Sequence, residues 1–323
     1  LKAAVVSDID RPPKWATFED PTGVEGESIV AVSAAALSPL VRARASGAHY
    51  SAAKGVGSFV AGVDGVGRLP DGRRVYFAFP PAPFGAMAQR VSVRTNLHVA
   101  VPDGVDDVTA AAIANPGMSS WAALLERARL AKGEAVLVNG ATGTAGRLAI
   151  QIAKYLGAKT LIATGRSAQQ LERLGALGAD ATISLALPND ELERALEVAI
   201  FDNDVTIVLD YLWGNSAESI LKAIARNDTG PVARRIRFVQ IGAVSGSEIS
   251  LAASTLRSTR VELLGSGLRS VSNERLVELI GGVMRAVEPA KLQIDTVSRP
   301  MDTVETAWNE DCGTRRLVFT LPS

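Results

Sequence analysis

The stretch that decides the reading is Ala135-Val136-Leu137-Val138-Asn139-Gly140-Ala141-Thr142-Gly143-Thr144-Ala145-Gly146-Arg147. Ala135–Val138 is a short apolar run that reads as a buried strand, and a glycine-rich turn carries it straight into a helix. From Thr144 to Leu156 the apolar residues Ala145, Leu148, Ala149, Ile152 and Leu156 fall at i, i+3, i+4, i+7 and i+11, which is one helix face. Gly143 lets the backbone approach a pyrophosphate, and Gly146 lets the helix pack closely on the strand. The free N–H groups and the positive dipole end at Thr144, Ala145 and Gly146 then face the phosphates. Ala141 stands where the usual pattern has its first glycine, with Thr142 after it. The strand–turn–helix setting, more than the glycines alone, marks a dinucleotide site contacted by residues 141–146.

The next strand, expected at Thr160–Ala163, ends in Thr164-Gly165-Arg166-Ser167. A fold specific for NAD usually has Asp or Glu there to hold the ribose 2′-hydroxyl. No acid is present. Arg166 offers a planar cation and Ser167 a hydroxyl, both suited to a 2′-phosphate. NADPH is therefore the expected cofactor, and an acid introduced at Thr164 or Gly165 together with loss of Arg166 is expected to reverse the preference. Ile241 and Gly242, where a strand expected at Arg237–Ile241 ends, complete the candidate cofactor contacts. Tyr155-Leu156-Gly157-Ala158-Lys159 spells the Tyr-x-x-x-Lys of short-chain dehydrogenases, but here it ends the helix that the glycine loop begins. Gly157 stops that helix before Lys159, so the pair is a helix terminus and not an acid–base couple.

Working outward, strands and helices alternate: a helix around Ala168–Leu177, a strand at Ala181–Ser184 and a helix around Asp190–Ile200. A strand at Val205–Leu209 and a helix around Ser216–Ala225 follow. Units of this kind imply a parallel sheet with helices on both faces, a doubly wound Rossmann α/β domain. Before residue 117 the chain is different. Runs at Lys2–Val6, Ser28–Leu37, Phe59–Val63, Arg73–Phe79 and Ala88–Val93 are split by turn signals such as Pro70-Asp71-Gly72 and Pro80-Pro81-Ala82-Pro83. That half is expected to form a mostly antiparallel, partly open barrel with few long helices. After residue 255 the pattern is mixed, with a helix around Asn273–Ala286 and strands near Leu292–Ser298 and Arg316–Thr320. The expected domains are thus 1–117, 118–255 and a segment 256–323.

Composition narrows the function. The chain has 323 residues, with 34 Lys plus Arg balanced by 34 Asp plus Glu. It lacks the cationic excess that a sequence-independent grip on nucleic acid requires. Arg234, Arg235 and Arg237 form the one basic cluster, read as a solvated edge leading into a strand. Cys312 is the single cysteine, so no intrachain disulfide can form, which fits a reducing compartment. Apolar runs are too short to span a membrane. The N-terminal residues read as a strand and not a signal peptide, and a cytoplasmic location is expected.

With these residues in view, the chain resembles the medium-chain dehydrogenase/reductase superfamily, and within it the zinc-free quinone oxidoreductases. The resemblance runs through Gly62-Val63-Asp64-Gly65-Val66-Gly67, Asp71-Gly72-Arg73-Arg74-Val75, Phe84-Gly85-Ala86-Met87-Ala88-Gln89 and Val101-Pro102-Asp103-Gly104-Val105. It continues in Gly178-Ala179-Asp180, Val208-Leu209-Asp210 and Gly313-Thr314-Arg315-Arg316-Leu317-Val318. It implies a barrel-like (GroES-like) catalytic domain, a Rossmann domain, a C-terminal segment returning to the catalytic domain, and a homodimer. Zinc-dependent members bind metal through Cys, His and Cys. The matching positions here are Ser38, Val63 and Asn115, so no catalytic metal is expected. Zinc-free members commonly carry Asn-Pro-x-Asp where this chain has Ser38-Pro39-Leu40-Val41, and a tyrosine where it has Leu185.

Without a metal or an evident acid–base pair, the chemistry that fits is hydride transfer from NADPH to a quinone or to the β-carbon of an enone. Ser38, His49, Tyr50 and Asn115 are the candidate polar groups on the acceptor side, with Ser38, Tyr50 and Asn115 the catalytic candidates. Arg44-Ala45-Ser46-Gly47, just before His49 and Tyr50, is similar to the family's loop beside the cofactor. Trp121 is read as core packing at the start of a helix. Two other functions stay open on sequence: an enoyl-thioester reductase, and an NADPH-binding protein without turnover.

Overall fold

The computed structural model describes residues 1–49, 57–226 and 233–322. The chain divides into two units, Leu1–Asn115 with Asn273–Ser323, and Pro116–Ser272.

The second unit is built on six parallel strands, β1 (Ala135–Asn139), β2 (Thr160–Gly165), β3 (Ala181–Ser184), β4 (Val205–Asp210), β5 (Arg235–Gln240) and β6 (Arg260–Gly265), in the order β3-β2-β1-β4-β5-β6. The chain starts in the middle, works outward to β3, then crosses back to β4 on the other side of β1. Strand order reverses between β1 and β4, and in open α/β sheets such a point opens a crevice at the carboxyl ends of the strands. Strands β1 and β4 are apolar and almost wholly buried because helices cover both faces. The core beneath them joins Leu137, Ile162, Val208 and Phe238 to Leu196 and Ile220 of the helices Asn189–Asp202 and Gly214–Arg226.

Helix α1 (Thr144–Tyr155) follows the glycine loop and ends at Gly157, whose φ of +96° suits a residue without a Cβ. Its buried surface is wider than the stripe expected from sequence, since Ile150 and Ala153 are covered as fully as Leu148 and Ile152. Trp121 is buried near the end, not the start, of the helix Asp107–Ala122 and stacks tilted against Tyr155 at 6.1 Å.

The sequence reading closes this domain at residue 255, but the chain then adds β6, which pairs with β5 from Arg235↔Arg260 to Gln240↔Gly265. Its alternation of charged and apolar residues, Arg260-Val261-Glu262-Leu263, suits a strand at a sheet edge. That resembles the surrounding mixed pattern more than the apolar runs of the central strands. The basic cluster also differs from a plain solvated edge. Arg235 pairs with Glu262 at 2.6 Å and Arg234 with Asp204 at 2.7 Å, while Arg237 is buried and pairs with Glu134. Arg237 also donates to the carbonyl of Ala128 at 2.6 Å, tying the amino ends of the strands to the preceding segment. These arginines are committed to acids and carbonyls.

The first unit carries a three-stranded sheet, Lys14–Thr17, Lys2–Val6 and Phe59–Val60, and a larger sheet. The larger one runs Thr296–Pro300, Arg316–Thr320, Glu27–Ala36, Asp64–Arg68, Arg74–Ala78, His98–Ala100, with Arg90–Arg94 also paired to Glu27–Ala36. Pairing is antiparallel except between Thr296–Pro300 and Arg316–Thr320. The C-terminal strand thus lies against the long strand Glu27–Ala36, as the family resemblance implies. Helix Asp107–Ala122 is longer than the sequence reading allowed. Ala110–Ala114 is buried all round, so it leaves no amphipathic stripe to detect.

Candidate functional site

The glycine loop sits at the carboxyl end of β1, the central strand. Gly140 turns the chain at φ +87°, and a Cβ there would lie 2.8 Å from Leu212 Cγ. The two motif glycines serve different needs. A Cβ at Gly146 would stand 2.3 Å from the Gly140 carbonyl oxygen and 2.6 Å from Ala141 Cα, so this glycine permits the close contact of helix and loop. A Cβ at Gly143 would meet only Gly140 O at 3.7 Å, and the residue is exposed. The space above Gly143 is therefore open to whatever approaches α1. Gly143 is also the N-cap of α1 and brings no side chain to its first-turn N–H groups, and that turn carries no acid. A helix start left uncapped and free of negative charge fits an anionic pyrophosphate.

A buried polar network that the sequence reading did not single out holds the strand ends together. Asn139 Nδ2 donates to Asp210 Oδ1 at 2.8 Å and to Ser216 Oγ at 2.9 Å. Thr164 Oγ1 donates to Asn139 Oδ1 at 2.7 Å and accepts from Gly140 N at 3.1 Å. Asp210 further accepts from the backbone N–H groups of Leu212 and Trp213 at 3.0 and 3.1 Å. Burial pushes the Asp210 carboxyl above its usual range, while the hydrogen bonds from Leu212, Asn139 and Trp213 oppose that shift. The Asp210 carbonyl accepts from Ile241 N at 2.8 Å and Gly242 N at 3.1 Å. Thus β1, β2, β4 and the turn after β5 are fastened to one another, which brings the candidates Ala141–Gly146, Thr164, Gly165, Ile241 and Gly242 to one end of the sheet. The signal was a polar residue closing an otherwise apolar central strand, seen in both Val138-Asn139 and Leu209-Asp210. A cavity of about 380 Å³ lies beside the turn after β5, walled by Trp213, Phe238, Gln240, Ala243 and Leu263.

At the end of β2 the four candidates separate. Thr164 is fully buried and its hydroxyl belongs to the network, so it has a structural task. Gly165 is buried, and its carbonyl accepts from Leu185 N at 2.7 Å. Ser167 caps the helix Ala168–Glu172, accepting from Gln170 N at 3.4 Å. Arg166 is exposed, with no ion pair or hydrogen bond among the described residues, which leaves its guanidinium available to a ligand. The expectation that an acid at Thr164 or Gly165 would reverse cofactor preference needs correction. Position 164 points into the core, and a Cβ at 165 would lie 2.4 Å from Thr142 Cγ2.

The acceptor-side candidates belong to the β-rich unit. Ser38 is buried and caps the helix Pro39–Ala45, its Oγ accepting from Val41 N at 3.0 Å. Asn115 is half-buried on the helix Asp107–Ala122. His49 is half-buried, and burial together with the Arg44 guanidinium holds it below its usual value, so it is neutral at pH 7. Tyr50 lies outside the described residues. Deeper in this unit Tyr76 donates to Asp64 Oδ2 at 2.8 Å, both fully covered, with the buried Arg316 exerting a favourable charge on Asp64. Burial nevertheless pushes the Asp64 carboxyl up to about 6. Among the described residues no three His, Cys, Asp or Glu side chains gather as a metal site would need. Among them, too, no helix is long and apolar enough to cross a membrane.

Comparison with known proteins follows the same lines. No model of a protein family matches the chain. Over 96% of its length it is 27% identical to a probable NADPH-dependent quinone reductase of Emericella nidulans, 97% of which is covered. It is 28% identical, over 74% of its length, to a phenolphthiocerol/phthiocerol polyketide synthase polypeptide of Mycobacterium tuberculosis, of which it spans 10%. The quinone oxidoreductase of Thermus thermophilus, solved alone and with NADPH, superposes with a TM-score of 0.80 at 25% identity, covering 99% of this chain and 100% of that one. With the motif order, the sheet order and these full-length likenesses together, the chain is similar in sequence and fold, over nearly its whole length, to quinone oxidoreductases of the medium-chain dehydrogenase/reductase type.

Proposed function

We propose that the chain is an NADPH-dependent reductase that delivers hydride, without a metal, to a quinone or an α,β-unsaturated carbonyl. The observation that carries this reading is the carboxyl end of the parallel sheet. A helix start with no side-chain cap and no acid in its first turn, and with open space above Gly143, lies beside a second strand followed by Arg166, an exposed cation with no partner among the described residues. The full-length likeness to a quinone reductase supports the acceptor class.

When bound, the nicotinamide nucleotide supplies the hydride. The N–H groups at Thr144–Gly146 hold its pyrophosphate, Arg166 with Ser167 holds the 2′-phosphate, and the backbone at Ile241 and Gly242 lines the same sheet end. Ser38, Tyr50 and Asn115 are assigned to the acceptor side, where a donor aimed at the carbonyl oxygen stabilises the charge that develops as hydride arrives. Ser38 Oγ accepts from Val41 N with one lone pair, which leaves its O–H able to donate to an acceptor oxygen. His49, neutral at pH 7, is not a ready proton source, so solvent provides the proton.

Zinc independence rests on Ser38, Val63 and Asn115, none of which is a strong zinc ligand. A cytoplasmic location rests on the single cysteine. A homodimer is supported by β6, which among the described residues pairs with a strand on one side only, and by its exposed Leu263. The reading is tested by following NADPH absorbance with a panel of quinones, enones and an enoyl thioester. Turnover of quinones or enones without added metal is expected. Turnover of the thioester alone would assign an enoyl-thioester reductase, and tight NADPH binding without turnover of any acceptor would assign a non-catalytic binder.

A further inference from the structure

Gly165 closes a regular β-strand, and its φ is not in the left-handed region, so its backbone makes no demand for glycine. Glycine inside a strand is ordinarily a weakness, and it commonly marks a close approach by another group. Here the approaching group is a side chain. An ideal Cβ at Gly165 would lie 2.4 Å from Thr142 Cγ2 and 3.1 Å from Thr142 Oγ1, with Leu171 Cδ2 closing the other side at 3.1 Å. Thr142 is held in that register by its neighbours. Ala141 N donates to the Thr164 carbonyl at 2.8 Å and Gly140 N to Thr164 Oγ1 at 3.1 Å, so the glycine loop is bonded to the residue just before Gly165. A β-branched side chain is stiff at χ1, and both γ atoms of Thr142 face the strand end.

We propose that Thr142 is a specificity-determining residue. By packing on Gly165 it denies side-chain space at the position where an acid would select a free 2′-hydroxyl, and so keeps the site open to a 2′-phosphate. The inference rests on the reading of residues 141–146 as the nucleotide cradle. Arg166 attracts the phosphate, and Thr142 excludes the residue that would repel it. The two act through different atoms, so removing Arg166 alone weakens NADPH without admitting an acid at 165.

The test is a cycle of four proteins, wild type, G165A, T142A and T142A/G165A, followed by thermal unfolding without nucleotide. The steric half predicts that G165A lowers the midpoint by at least about 2–4 °C beside Thr142 and by clearly less beside Ala, where only the flexible Leu171 side chain stays close. Equal effects in both backgrounds would overturn it. The specificity half compares G165D with T142A/G165D by fluorescence titration of NADPH and NADH. The double variant is expected to shift the NADPH:NADH affinity ratio toward NADH by roughly tenfold or more, the scale of a single charge-assisted hydrogen bond. G165D alone is expected to lose affinity for both nucleotides. A double variant with the wild-type ratio would overturn the specificity role. If wild type binds neither nucleotide while the unfolding cycle still shows coupling, the cradle reading is what fails, and the specificity role falls with it.

Discussion

Gly143 and Gly146 lie three residues apart in the same loop, yet opposite consequences follow from adding a side chain to each. At Gly146 a methyl would sit 2.3 Å from the Gly140 carbonyl oxygen and 2.6 Å from Ala141 Cα, both backbone atoms that cannot swing aside. Restoring ordinary contact needs helix and loop to part by about 1 Å, the kind of overpacking that costs about 1–3 kcal/mol. At about 2–4 °C per kcal/mol for a domain of this size, Gly146→Ala should lower the unfolding midpoint of its unit by roughly 2–12 °C. At Gly143 the nearest atom is 3.7 Å away and the backbone φ of −75° suits any residue. Gly143→Val should therefore cost no more than about 1 kcal/mol, chiefly from exchanging a tolerated N-cap for a poor one. Its branched side chain would occupy the open space above α1, displacing charge-assisted contacts worth about 1.5–3 kcal/mol each, or roughly 10–150-fold in NADPH affinity per contact. Thermal unfolding and nucleotide titration of both variants separate the effects. Wild-type NADPH affinity in Gly143→Val, or wild-type stability in Gly146→Ala, would refute this division of labour.

Other expectations follow from the β-rich unit. Ser38→Ala removes a helix N-cap and should lower stability by about 0.5–2 kcal/mol whether or not the hydroxyl takes part in turnover; denaturant unfolding measures this, and unchanged stability would refute the capping role. Kinetics on that variant therefore need the folded fraction fixed first. For Asp64, a folded-state value of about 6 against the ordinary 3.8 means the folded protein keeps a proton that the unfolded chain has released. Its stabilising contribution is full below about pH 4 and falls, by about 3 kcal/mol, as pH rises through about 6. Stability measured between pH 5 and 7 should decline less steeply in Asp64→Asn than in wild type, and identical slopes would contradict this.

Much of the fold could be read directly because its periodicities are strong. The strand Ala181–Ser184 and the helix Asn273–Ala286 fall where the sequence puts them, and the other central strands differ only at their ends. What escaped detection lacks a periodic signal. The stretch Ala110–Ala114 of the helix Asp107–Ala122 is buried on every side, and β6 alternates like an exposed strand because it is an edge. The glycine loop was legible as a binding element since phosphate approach and close packing both require glycine at fixed spacing. The network of Asn139, Asp210, Thr164 and Ser216 was not, because its members are far apart in sequence and meet only when β1, β2 and β4 lie side by side. The same holds for Thr142 and Gly165, whose contact depends on how the loop docks on β2. Ser38 shows the converse, a residue singled out for chemistry whose visible work is to start a helix.

The most direct test of the central claim, a nucleotide site that selects the 2′-phosphate, is a parallel titration of NADPH and NADH against wild type and Arg166→Ala. Arg166 is exposed and has no ion pair or hydrogen bond among the described residues at the acid-free end of β2, so its loss should leave the fold intact. One or more charge-assisted contacts at about 1.5–3 kcal/mol would cost NADPH roughly 10–150-fold in affinity per contact while NADH is barely changed. Equal losses for both nucleotides, or none for either, would contradict the account.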